Sequence, residues 1–152
     1  MSTTGNPGDG RSTDEARAAQ LTSPPAEAEG WIAHRLETES IWCSPEHWDP
    51  SWVEAKARAI LAHGVVVAGT ARQYRAVAGA GNLDEGLATL AVPTLVIHGA
   101  ADTLITPSGG RHTAEIIPNA RYVEIEGMGH DLPPAFWPRL ADEVATFLES
   151  LG

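Results

Sequence analysis

One run constrains the fold more than anything else in the chain. Pro93-Thr-Leu-Val-Ile-His-Gly99 is almost continuously apolar and is bounded by a proline and a glycine. A strand with one wet face alternates apolar and polar residues, whereas an unbroken aliphatic run is the pattern of a strand covered on both faces in a parallel sheet. A parallel partner needs a crossover, and the following residues supply one. "RHTAEIIPN" (111–119) reads as a short helix closed by Pro118-Asn119. "ARYVEIEG" (120–127) alternates, with Tyr122, Glu124 and Glu126 on one side and Val123 and Ile125 on the other, as a half-exposed strand near a sheet edge would. "PAFWPRLADEVATFLESLG" (134–152) reads as an amphipathic helix that turns Trp137, Leu140, Val144, Phe147, Leu148 and Leu151 inward. Strand, helix, strand, helix makes a βαβ unit, with a right-handed crossover expected. A doubly covered strand needs neighbours on both sides and the sequence supplies one, so further strands are expected ahead of Met1.

Residues 11–80 have a different character and read as helices throughout. Ser12 with Glu15 forms a capping-box pattern before "EARAAQL". "WIAHRLETESIW" puts Trp31, Ile32 and Leu36 on one stripe. The clearest helix follows Asp49 as its N-cap and Pro50 at its first position, with Val53, Ala57, Ile60 and Leu61 on one face and Gly64 as the stop. A fourth helix is expected over 69–78, before the "GAGN" break. The organisation expected is a polar N-terminal segment (1–10), a helical segment (11–80) and an α/β part (81–152).

Ten basic against twenty acidic residues leave a net charge of −10. With no basic patch to neutralise phosphates, nucleic acid and anionic membrane surfaces are not expected partners. The N-terminus has neither a basic start nor an apolar stretch, and no run approaches the length of a membrane helix. One cysteine, Cys43, excludes an internal disulfide and suits a reducing compartment, so a cytoplasmic location is expected. Cys43 lies beside Trp42 without a basic neighbour, the setting of a bystander thiol.

The chemistry is expected where parallel strands end. Their carboxyl ends share one rim, and sites gather in the crevice beyond it. The loop after "TLVIHG" carries Asp102; the loop after "RYVEIEG" carries His130 within "EGMGHDLP". Strands lie about 4.8 Å apart, so loops leaving one rim can bring a carboxylate and an imidazole together. Such a carboxylate fixes the imidazole tautomer and leaves the other ring nitrogen as general base. Other assignments compete. Asp131 is a rival acid, read instead as the N-terminal charge of the last helix. His98 is read as a satisfied core histidine. A metal site from His98, Asp102 and His130 matches no zinc spacing, and neither metal nor cofactor is expected. "SGGRHT" (108–113) could offer helix amides to an anion but reads as an ordinary helix start. Trp31, Trp42, Trp48 and Trp52 could line an apolar pocket or simply pack the helices.

The stretch "VPTLVIHGAADTLITP" followed by "IPNARYVEIEGMGHDLP" resembles the C-terminal part of an α/β-hydrolase, where the acid follows the penultimate core strand and the histidine the last. Over 1–91 the sequence resembles, more loosely, the cap segment of bacterial methylesterases of the aclacinomycin-methylesterase type. The resemblance implies a partial α/β-hydrolase fold: a helical cap, then the last two parallel strands and their helices. It also implies Asp102 as triad acid, His130 as triad base, and a small-molecule ester as substrate of the complete enzyme. Epoxide hydrolases, dehalogenases and perhydrolases share this acid and histidine end.

No G-x-S-x-G occurs in the sequence. The nucleophile and oxyanion-hole loop are therefore expected before Met1, in a truncated, late-started or split protein, and the isolated chain is expected to be inactive. The contrasting expectation is a non-catalytic module that associates through the open edge of its first strand.

Overall fold

The computed structural model describes residues 4–64 and 67–152. Two strands, β1 (Leu95–Gly99) and β2 (Arg121–Ile125), pair in parallel with Leu95 opposite Arg121 and Gly99 opposite Ile125. Helix α6 (Pro107–Ile116) connects them and packs on both. Asn119 completes the turn into β2 at φ 60°, a left-handed conformation that asparagine tolerates better than most side chains. Val123 and Ile125 are buried and, with Met128, form a small core that Leu95, Ile97, Phe136 and Leu140 surround. The alternation in β2 thus separates a core face from a face that carries Tyr122 and Glu124, as the sequence predicts. On that outer face Tyr122 donates to Glu124 at 2.6 Å, and burial plus this carboxylate push the phenol pKa up.

Ahead of the sheet lie α1 (Asp14–Gln20), α2 (Ala28–Trp42), α3 (Pro50–Ala62), α4 (Val67–Gly79) and the single turn α5 (Asp84–Leu87). The 69–78 helix expected from sequence is therefore longer, and α5 was not foreseen. Helix α3 starts as its sequence predicts: Asp49 accepts from the amides of Ser51 and Trp52, Pro50 follows, and Gly64 leaves the helix at φ 82°. Trp31 and Ile32 of α2 pack on Ala57 of α3, with Leu36, Ile60 and Leu61 at the margin. Helix α1 departs from the expected box. Thr13 caps it, accepting from Ala16, because the Ser12 hydroxyl is taken by the Leu104 carbonyl at 2.6 Å.

An ion cluster ties α2 to α3. The buried Glu39 carboxylate bridges Arg35 and Lys56, the latter at 2.8 Å. The Arg35 guanidinium lies 5.0 Å from the centre of the Trp31 ring, within cation–π range. Burial lowers the pKa of both cations; for Lys56 the neighbouring Arg35 adds to the shift and the Asp131 carboxylate opposes it.

Two expectations about the sheet need correcting. β1 is not fully covered, since Leu95, Val96 and Ile97 are only part-buried and burial is complete at His98 and Gly99. Helix α7 (Trp137–Glu149) contains no buried residue; Trp137, Val144, Leu148 and Leu151 are about half exposed instead of inward. The cause is common to both. The two described strands give a helix of three turns too little sheet to lie on, so of its apolar face Leu140 and Phe147 are part-buried and the rest is left uncovered.

Candidate active site

The carboxyl ends of β1 and β2 continue into two loops that remain knitted together. Ala100 donates to the Ile125 carbonyl and Ala101 to the Met128 carbonyl, each at 2.9 Å. The β1 loop turns at Asp102, whose Oδ1 accepts from the amides of Leu104 (2.9 Å) and Ile105 (2.8 Å). A short acidic side chain closing its own turn in this way orders the loop without distant partners. Its second oxygen, Oδ2, accepts from His130 Nδ1 at 2.9 Å. Asp102 is 4% exposed, so every lone pair it offers is directed inside the protein.

With Nδ1 donating to a carboxylate, the neutral His130 ring carries its proton on Nδ1 and presents Nε2 as a base. The backbone of the ring's residue is fixed as well: His130 N donates to the Trp42 carbonyl at 2.7 Å. Two glycines flank the approach for different reasons. Gly127 takes φ 73° and makes the turn out of β2. Gly129 instead permits contact, because a Cβ there would lie 2.3 Å from the Cys43 carbonyl carbon and 2.6 Å from the Ser44 nitrogen.

His98 lies beneath this pair. Its Nε2 donates to the Ile105 carbonyl at 2.7 Å and stands 3.6 Å from Asp102 Oδ2, beyond hydrogen-bond reach. It is a buried histidine whose proton goes to the backbone. Among the described residues, no group of three or more His, Cys, Asp or Glu side chains could hold a metal ion.

Asp131 departs from its expected place. Pro133 and Pro134 hold off the last helix until Trp137, and a 3-10 turn at Pro134–Phe136 intervenes. The Asp131 carboxylate turns the other way, and its Oδ1 accepts from both the amide (2.8 Å) and the hydroxyl (2.6 Å) of Ser44. Ser44 Oγ in turn accepts from Gly129 N at 2.9 Å and is wholly inaccessible to solvent. The sequence offered no sign of this pairing, because Ser44 and Asp131 are 87 residues apart and neither sits in a periodic pattern. Cys43, next to it, is buried and its thiol is pushed up to about 11, first by desolvation and then by the Asp131 charge.

The tryptophans divide. Trp31 belongs to the α2–α3 core, while Trp52 meets Trp137 edge-on at 5.9 Å between ring centres. The Arg111 guanidinium of "SGGRHT" binds the Glu124 carboxylate. A cavity of about 630 Å³ opens at the opposite end of the strands, between residues 88–93 and the last turn of α7, far along the sheet from the loop ends that carry Asp102 and His130.

Comparison with known proteins agrees with this arrangement. Over 55 residues, the chain is 47% identical to rhodomycin D methylesterase DauP of Streptomyces sp. (strain C5). That stretch is 36% of this chain and 18% of the relative. The corresponding enzyme DnrP of Streptomyces peucetius is 46% identical over 55 residues, again 18% of its length. Among solved structures, an esterase from Rhodococcus sp. superposes with a TM-score of 0.67 at 24% identity, covering 94% of this chain and 50% of that one. The enol-lactonase from Burkholderia xenovorans gives 0.63 at 25% identity, covering 93% and 53%. The chain thus spans about half the length of the structures it matches. A sequence model of the alpha/beta hydrolase fold matches residues 10–133, most of the chain. With that span matched, the chain, whose two strands run parallel, belongs to the α/β-hydrolase family.

Proposed function

We propose that this chain supplies the acid and the base of a serine-type ester hydrolase, with Asp102 orienting His130 and a nucleophile contributed by polypeptide outside this sequence. The observation that carries the reading is the hydrogen bond from His130 Nδ1 to a buried Asp102, at the shared rim of two parallel strands. In this role Nε2 of His130 takes the proton of an attacking serine hydroxyl and returns it to the leaving alkoxide, while Asp102 stabilises the imidazolium formed between. Ser44 does not fill the nucleophile's place, since it has no solvent exposure and its hydroxyl donates to Asp131. The methylesterase relatives favour a carboxylic methyl ester as substrate. The helices within 11–80 act in this reading as a cap over the site, and 81–152 as the end of the catalytic core.

The test has two arms. Alone, the chain leaves p-nitrophenyl acetate unhydrolysed and takes no label from a fluorophosphonate. Combined with the complementary N-terminal part of a rhodomycin D methylesterase, it restores hydrolysis, and His130→Ala lowers kcat by about 10⁴-fold or more. Hydrolysis by the chain alone, or a restored activity indifferent to His130→Ala, would overturn the proposal.

A second reading rests on a separate observation. Among the described residues β1 pairs only with β2, and the apolar residues of α7 are exposed. We propose that the open edge of β1 supports self-association. Sedimentation velocity showing a concentration-dependent dimer supports it; a monomer at all concentrations excludes it.

A further inference from the structure

Four consecutive residues at the end of α2 hold both site loops. The Ile41 carbonyl accepts from Thr103 Oγ1 of the acid loop at 2.9 Å, and the Trp42 carbonyl accepts from His130 N. Cys43 lies against Gly129 with backbone touching backbone. Ser44 receives the Gly129 amide on its oxygen and gives both of its own protons to Asp131. Residues 129, 130 and 131 are therefore each tied to the same short segment, by one bond before, one at, and two after the histidine. Asp102 controls only one ring nitrogen of His130. What fixes the position of the His130 backbone, and hence the direction in which Nε2 points, is the end of α2, within the helical segment read above as a cap.

We propose that Ser44 and Asp131 are positioning residues, a clamp that seats the histidine loop on the end of α2 and so aims His130. The assignment rests on the reading of His130 as the catalytic base. It makes the cap helices part of the acid–base apparatus as well as a cover: displacement of α2 would turn the imidazole away from Asp102. The full carboxylate charge of Asp131 is not what the clamp needs. It needs an oxygen acceptor at one point, which an asparagine amide also offers.

The experiment uses the full chain with ¹⁵N-labelled histidine and follows the His130 ring: the Nδ1–H resonance, the two ring ¹⁵N shifts that report the tautomer, and exchange of Nδ1–H with water. Asp131→Ala and Ser44→Ala, each of which removes two hydrogen bonds of the clamp, are expected to speed that exchange at least about tenfold and to move the ring shifts toward a tautomer mixture. Asp131→Asn is expected to keep the parent signature. His112, bonded to Asp84 and Asn6 and to neither site loop, is the internal control and should not move. The proposal is overturned if Asp131→Ala or Ser44→Ala, folded by circular dichroism, leaves the His130 signals unchanged. It is overturned equally if Asp131→Asn behaves as Asp131→Ala, or if His112 shifts in step, which would mean general loosening. Because no ester enters the measurement, the clamp and the hydrolase reading can fail separately: a responsive His130 in a chain that complements no activity would retain the first and remove the second.

Discussion

The two ends of the α6–α7 half contrast sharply. At the carboxyl ends of β1 and β2, the carboxylate oxygens of Asp102, the Nε2 of His98 and the hydroxyl of Ser44 each have a protein partner, and the loops approach until only glycine fits. Along α7 and the open side of β1, leucines, valine and tryptophan stand half in solvent. A site can be complete in its hydrogen bonding while the sheet that carries it is left with uncovered apolar faces. The difference follows from range: turn-closing and loop-to-loop bonds are satisfied within a few residues, while a sheet face is covered only by further elements.

Substitutions in the two regions should therefore differ in cost. The largest effect is expected at Gly129→Val, which drives side-chain atoms into the Cys43 backbone; a loss of about 3 kcal/mol, read by urea denaturation, follows from overpacking where backbone cannot yield. Ile125→Ala, in a core small enough to close part of the gap, should cost about 2 kcal/mol, and Leu148→Ala on α7 less than about 0.5 kcal/mol. Equal costs would erase the distinction between the regions. Glu39→Gln should cost about 1–2 kcal/mol in thermal unfolding: it leaves two cations short of a partner, and both are about a third exposed and so partly screened. The mildest effect concerns Cys43. With its thiol at about 11, the folded chain should react with an aromatic disulfide reagent at pH 8 far more slowly than the urea-unfolded chain. The same shift has a definite sign in stability. The folded pKa exceeds the unfolded one, so the contribution is whole below about pH 9 and is withdrawn as pH rises through about 11.

What could be read from sequence follows the same division of range. The two strands, their helix and the approach of the 102 and 130 loops are encoded by local periodicity and by the geometry of a parallel pair, so the contact between Asp102 and His130 was expected before any coordinates. The fate of α7 was not, because an amphipathic pattern states which face is apolar and says nothing of whether a surface exists to receive it. Ser12 was misassigned as a cap because its hydroxyl is claimed by a carbonyl 92 residues away. Asp131 was misassigned for a parallel reason, since two prolines postpone the helix it was expected to start and a serine 87 residues earlier captures it.

That long reach of the N-terminal segment has a kinetic consequence. Thr13 N donates to the Thr103 carbonyl, Ser12 Oγ to that of Leu104, and Gly10 N to Ser108 Oγ. The turn at Asp102 closes through its immediate neighbours, yet its outer side is sealed by residues at the far end of the chain. Closing so long a loop is entropically late and slow. During refolding, the Leu104 and Ile105 amides that donate to the aspartate should gain protection from hydrogen exchange first, and Thr13 among the last.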